Sequence, residues 1–309
     1  MAIITTSVKI TAQSSAPDPP TAGQIYFDTE DTIAYVWNGS TWMALNSAPS
    51  FTATGGTIDN SVSGYRIHLF YTAGNGSSTN NFVVTGATGS VEYLIVAGGG
   101  GGAMSNSAGG GGAGGLRTAT GFSVGVGTFA VTVGAGGDGW DSAMSAAGAD
   151  SVFSSITAAG GGYGGRFSRD AGDGGSGGGA GTDFGAASPA GQGNAGGDST
   201  HNAGNADGGG GGGGAGAAGT AGTANVGGTG GNGLANSITG SSVTYAGGGG
   251  GGRYNGAYGQ GGSGGGGRGG EDVGRQSNAT DNLGGGGGGS GSSPGGDGGN
   301  GIVIIKYAV

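Results

Sequence analysis

Few side chains in this chain can do chemistry, and their placement decides how it is read. Among 309 residues there are two His and no Cys. His68 sits in the alternating run "YRIHLFYT" and His201 in a Gly/Asn stretch. Each reads as a structural or solvated imidazole, since neither has a spaced partner that would make it a general base or a ligand. The lack of Cys excludes disulfide staples and thiolate metal sites. Glu271-Asp272 reads as a solvated turn. "GGAGTDFG" at 178–185 touches the calcium-binding nonapeptide pattern, but Gly185 stands where an apolar residue should point inward, and no tandem copy follows. G-x-G-x-x-G recurs by composition alone, without a strand-to-helix context, and neither Lys9 nor Lys306 follows a Gly as a Walker A lysine would. The expectation is a non-enzyme, with no catalytic residue, no metal and no cofactor.

Binding chemistry is better represented. Tyr163, Arg166 and Phe167, then Arg253, Tyr254 and Tyr258, place aromatic rings and guanidinium groups in inserts between glycine runs. Tyr and Arg are among the residue types that dominate binding hot spots. Two roles stay open for these six: contact with a receptor, or packing on the outer rows of a glycine scaffold. A second aromatic group, Tyr26, Phe27, Tyr35, Trp37 and Trp42, falls in the N-terminal fifty residues and is assigned to attachment or self-association.

The elements that must hold these residues are unusual. Gly contributes 91 residues, roughly fourfold the ordinary usage, while only 9% of residues are charged and the net charge is −9. Nine scattered Lys and Arg form no basic stripe, so nucleic acid is not an expected partner. No apolar run is long enough to span a bilayer, and the start "MAIITTSVKITAQSS" lacks a secretory pattern. Residues 1–49 read as a small β-meander of three strands, with Asn38-Gly39 as a hairpin signal. Residues 50–158 read as β-rich: Phe129, Val131 and Val133 share one strand face, and Val91–Ala97 is almost continuously apolar. Glycine bursts fill mainly 98–115 and 159–301, and Ile302–Ile305 closes the chain as a buried strand whose exit is marked by Lys306.

A glycine run loses more conformational entropy on ordering than any other sequence, so a disordered loop is one reading. The other is a bundle of polyproline II helices, with three residues per turn, no internal hydrogen bonds, and amides that must bond sideways to neighbours. The terminal strand GIVIIKYAV needs a partner, and VEYLIVA matches it in character. Their pairing would pin both ends of the glycine region. The expected fold class is all-β: a β-sandwich-like domain (50–309) whose loops are expanded into a polyglycine II bundle, preceded by the N-terminal meander, with essentially no α-helix.

The ordered motifs "YRIHLFYTAGNGSSTNNFVVTGATGSVEYLIVAGGGGG", "GGAGGLRT", "FAVTVGAGG", "SSITAAGGG" and "GGDGGNGIVIIKY" resemble the glycine-rich domain of bacteriophage tail-fibre and related virion proteins. A similar pattern occurs in the extracellular glycine-rich domain of the anaplastic lymphoma kinase family. "AGQIYFDTEDTIAYVWNGSTWMAL" is similar to a short module recurrent in phage fibres. The resemblance implies a virion protein made in the host cytoplasm: a tail fibre or fibre tip that contacts a host surface polysaccharide or outer-membrane protein. The alternative is a capsid or tail decoration protein with a purely structural role. Implied partners are other copies of the chain (a homotrimer) and other tail or capsid proteins, with no membrane insertion.

Overall fold

The computed structural model describes residues 10–45, 50–72, 76–139, 145–167, 169–181, 185, 186, 188, 191–199, 208–254, 256–270 and 276–309. None of these is α-helical, and the architecture is all-β. The chain divides into two compact units between Ser50 and Phe51.

The first unit is one sheet of β1 (Thr11–Gln13), β2 (Ile25–Asp28), β3 (Ala34–Trp37) and β4 (Trp42–Ala44), in that spatial order. It has four strands where three were expected. The addition is β1, a three-residue strand parallel to β2 and too short to show an alternation of its own. The β3–β4 hairpin forms as the Asn38-Gly39 signal implies, through a four-residue loop. Asn38 Oδ1 accepts the amides of Ser40 and Thr41 at 2.9 and 2.8 Å, and Gly39 takes φ 102°.

The second unit opens with β5 (Ala53–Thr54), β6 (Thr57–Asp59), β7 (Tyr65–Phe70), β8 (Ser78–Val84) and β9 (Gly89–Val96). There follow β10 (Leu116–Val124), β11 (Gly127–Val133), β12 (Ser151–Phe153) and β13 (Ile156–Ala158). Last come β14 (Leu234–Asn236), β15 (Val243–Tyr245) and β16 (Ile302–Ala308). One sheet runs β10-β9-β16-β7-β6 and the other β13-β12-β11-β8-β5. Between them Phe70, Phe82, Tyr93, Ile95, Val131, Phe153, Val303 and Ile305 form a single buried core. The closing strand pairs antiparallel with β9, Ile304 opposite Leu94, as its composition implied, and also with β7.

The first sheet is buried on both faces. Ile67, Leu94, Val96, Ile302 and Ile304 point away from the sandwich and pack with Ile238 and Tyr245 at the β14–β15 hairpin. Hence β9 reads as a continuous apolar run, and the alternation in β7 does not separate an inside from an outside. Nor does the chain leave the core at Lys306: Tyr307 beyond it is 3% exposed, and Lys306 pairs with Glu92 on β9 at 2.6 Å.

Beyond the sheets the glycine segments are ordered threads with a period of three. Gly98 and Gly101 donate to Ala149 and Ala146, Gly99 and Gly102 to Gly299 and Gly296, and Gly100 and Ala103 to Gly112 and Gly109. Successive amides therefore reach three different neighbours, and every third amide returns to the same one, which is the signature of polyglycine II. Thread 108–115 lies at the centre. Its amides bond to 159–165, 210–213 and 284–287, and its carbonyls receive amides from 100–103, 176–179 and 249–252. Those six threads bond around it in closed order, giving a hexagonal lattice. At its glycine positions the lattice leaves no room for a side chain: a Cβ on Gly109 would lie 1.8 Å from the Gly179 carbonyl oxygen.

Lattices have edges, and there the outward amides lose their neighbour. Polar side chains replace it. Gly136 donates to Asn300 Oδ1, Gly139 to Asp297 Oδ1, Gly160 to Asp150 Oδ1 and Ala159 to Gln192 Oε1. Gly136 and Gly139, and the residues that serve them, are each three apart, one helical turn.

Candidate functional site

Threads run alternately away from the sandwich and back, so their connections fall at two ends. The end remote from the sheets carries the turns around 103–108, 166–169, 223–226 and 253–258. Register fixes this: Gly165 accepts from Gly109, Ala108 from Gly252, and Asn106 from Tyr254. The inserts holding Tyr163, Arg166 and Phe167 and those holding Arg253, Tyr254 and Tyr258, some ninety positions apart in the chain, thus meet at the same end. Their threads lie on opposite sides of the central one. At roughly 5 Å per hydrogen-bonded step, the separation is about 10 Å.

Each residue has a definite environment there. Tyr163 and Arg166 are three apart and share the outward row of their thread, the row of Gly160. The Arg169 guanidinium lies over the Tyr163 ring, 3.6 Å from its centroid, a cation–π stack that holds the phenol against the bundle. Arg166 forms a two-way backbone bridge with Arg169 at 2.9 and 3.0 Å, closing the turn. Phe167, at that turn, is 68% exposed, the largest exposure of any aromatic ring among the described residues. Arg253 is buried, its Nη1 donating to Asn225 Oδ1 at 3.4 Å. Tyr254 is 40% exposed. The Tyr258 hydroxyl accepts from Arg268 Nη1 at 3.3 Å. Phe167 and Tyr254 therefore face solvent, whereas Tyr163, Arg253 and Tyr258 are held by neighbours.

Sequence reasoning overlooked Arg169 and Arg268, the cations that fix the two tyrosines. Arg169 could have been found as a cation in the insert that follows Tyr163, whereas Arg268 lies beyond the glycine run 264–267 that follows the Tyr258 insert and carried no such signal. It also overlooked a polar hollow along the bundle edge lined by Asp138, Asn278, Asp281, Asp297 and Asn300. Asp297 there accepts from Gly139 and from Asn278 Nδ2 at 3.0 Å, and Asp281 Oδ1 accepts the Asn300 amide. These contacts make it a seal of the lattice edge.

The N-terminal aromatics pack on one another. Tyr26 stacks on Tyr35 at 5.3 Å and meets Trp42 edge-on at 4.7 Å, and Trp37 lies 5.5 Å from Trp42. The Tyr35 hydroxyl donates to Asp31 at 2.6 Å, and that hydrogen bond, with burial next in weight, pushes its pKa to about 12. Phe27 lies apart from this stack, one strand position out of phase with Tyr26.

His68 is fully buried. Its Nδ1 donates to the Gly55 carbonyl at 2.6 Å, which leaves Nε2 as an acceptor facing the Tyr307 hydroxyl at 3.5 Å. Tyr307 in turn accepts the Ala53 amide at 3.2 Å, so this network fastens β5 to the sandwich. Burial pushes the His68 pKa below the usual imidazole value, Arg66 adds to that, and the Gly55 bond opposes it. His201 and Glu271-Asp272 lie outside the described residues, as do Thr182–Phe184 of the nonapeptide-like stretch. Among the described residues no group of three or more His, Asp or Glu is placed to hold a metal ion, and no helix is long and apolar enough to cross a membrane.

A β-sandwich that carries a glycine lattice, with turns displayed at its far end, defines a glycine-rich class of protein. A family model described as a glycine-rich domain matches residues 72–308, and the chain belongs to that family. No characterised protein and no solved structure matches it.

Proposed function

We propose that this chain is a bacteriophage virion protein, a tail fibre or fibre tip, that turns the far end of its glycine bundle toward the host cell surface. The observation that carries the reading is the convergence of two aromatic–Arg inserts, distant in sequence, at one end of a rigid lattice. Phe167 and Tyr254 are the contact residues in this reading, since large exposed rings anchored on ordered backbone lose little entropy on binding. Tyr163, Arg166, Arg253 and Tyr258 support them. The virion assignment rests on the resemblance of the motifs to phage fibre proteins. It implies other tail or capsid proteins as neighbours, and a host polysaccharide or outer-membrane protein as receptor.

The test is competition. Purified chain added to host cells should reduce phage adsorption, and Phe167→Ala with Tyr254→Ala should abolish that effect while leaving the melting transition in place. Adsorption unchanged by the native chain would end the proposal. A second reading, a decoration protein of purely structural role, is favoured by the internal contacts of Tyr163, Arg253 and Tyr258. It requires that particles stripped of the chain remain infectious.

A further inference from the structure

Five Asn-Gly steps occur in the chain, and three lie whole within the described residues: Asn38-Gly39, Asn232-Gly233 and Asn300-Gly301. An asparagine before a glycine can react with itself, because the unhindered glycine lets its own amide nitrogen reach the preceding side-chain carbonyl. The fold treats these three steps differently.

In the bundle the nitrogen that would attack is tied down. The Gly233 amide donates to the Ser263 carbonyl at 2.8 Å, and the Gly301 amide to the Gly134 carbonyl at 2.9 Å. At the β3–β4 loop it is not. Among the described residues no acceptor stands opposite the Gly39 amide, Gly39 takes φ 102°, and a Cβ there would meet nothing within 4 Å. The carbon beside it is prepared for attack. Asn38 Oδ1 accepts the Ser40 and Thr41 amides and, at 3.1 Å, the Ser40 hydroxyl. These donors already point at the oxygen that turns negative when Cγ is attacked. Asn38 Nδ2, the nitrogen that would leave, donates to the Met43 sulfur at 3.2 Å, a weak acceptor.

We propose that Asn38 is a site of self-modification, deamidated by the nitrogen of Gly39 without an enzyme. The Gly39 nitrogen loses its proton to solvent base and bonds to Asn38 Cγ. The Cγ–Nδ2 bond then breaks, and Nδ2 departs with a proton from solvent as ammonia, leaving a five-membered imide. Water opens that ring at either carbonyl, giving aspartate or isoaspartate, each with one new negative charge. Isoaspartate also lengthens the main chain of the loop between Trp37 and Trp42. Exposure does not make the choice of site, since Asn38 and Asn232 are both exposed. Nor do donors on the side-chain oxygen, since Asn232 Oδ1 accepts the amide and hydroxyl of Ser263. Availability of the glycine nitrogen does. The inference is independent of the virion reading, because it concerns the purified chain alone.

The test is to age the native full chain in warm, mildly alkaline buffer, then unfold it, digest it with trypsin and weigh the peptides. Cleavage after Lys and Arg puts the three asparagines in separate peptides, 10–66, 170–253 and 276–306. Asn38 should convert at least tenfold faster than Asn232 or Asn300, with isoaspartate among its products. In denaturant, where no amide is tied, the three rates should come together. Asn38 converting no faster than Asn232 in the native chain overturns the proposal. So does a product that is aspartate alone, which means direct hydrolysis, or a rate difference that persists in denaturant.

Discussion

The amide of Gly111 donates to the carbonyl of Gly287 at 2.8 Å, while the Gly111 Cα faces the carbonyl of Gly100 so closely that a Cβ would stand 2.0 Å from its oxygen. Cohesion and exclusion of side chains are thus one geometry. Gly111→Ala should cost more than about 3 kcal/mol, beyond ordinary overpacking, because the obstructing atoms are main chain and have no rotamer to change. Gly125→Ala is the control: a Cβ there would meet nothing closer than Thr88 Cγ2 at 3.9 Å, and the change should stay within about 0.5 kcal/mol. Denaturant melts of the two variants check both values.

Hydrogen exchange should follow the threefold period. Every amide from Gly109 to Gly115 has a backbone acceptor, so the central thread should be protected throughout. In the edge thread 217–222, Gly219, Thr220 and Gly222 donate to backbone carbonyls while Ala218 and Ala221 do not. Ala218 and Ala221 should therefore exchange early and their flanking residues late. Uniformly fast exchange across Gly109–Gly115 would remove the lattice.

Sealing of the edge is testable at Asn300, whose Oδ1 accepts the Gly136 amide at 3.0 Å. Asn300→Ala should destabilise by about 1–3 kcal/mol, the cost of a stranded amide. Asn300→Asp, which keeps an acceptor at that place, should cost less. Thermal melts of the pair decide it.

Stability should fall on mild acidification because of His68. Its folded pKa lies below the ordinary value, so between the two the unfolded chain binds more protons than the folded one. The contribution is complete above about pH 6.5 and is lost as pH drops from there toward the folded pKa. Melting measured from pH 7.5 to 5 should show this slope, and a His68→Gln variant should flatten it.

Much of the sandwich was legible because its strands carry side chains: Ile302–Ile305 and Val91–Ala97 advertised each other through shared apolar character. Polyglycine II stood in the sequence as one of two readings, the other a disordered loop, and composition alone did not choose between them. Which thread lies beside which was not legible, since Gly109 and Gly287 offer no pattern by which to find a neighbour, and their contacts are main chain alone. The hairpin formed by Leu234–Asn236 and Val243–Tyr245 was hidden for a related reason: Ile238, Val243, Tyr245 and Ala246 of that insert join the cluster outside the sheet, at spacings that keep no single period. The convergence of Phe167 and Tyr254 follows from thread order, and so could not be read before the threads were placed. Edge-sealing residues such as Asn300 and Asp297 were visible only as polar interruptions.

The six threads around residues 108–115 grip one another without consulting any side chain. Whatever is spliced between two threads at the far end leaves that grip untouched, provided its two ends return to adjacent lattice points. A frame of this kind is indifferent to the text it displays, and new tips can be tried by drift or recombination with no debt in folding. Variation should accordingly collect in the turns around 166–169 and 253–258, while the glycines behind them stay monotonous.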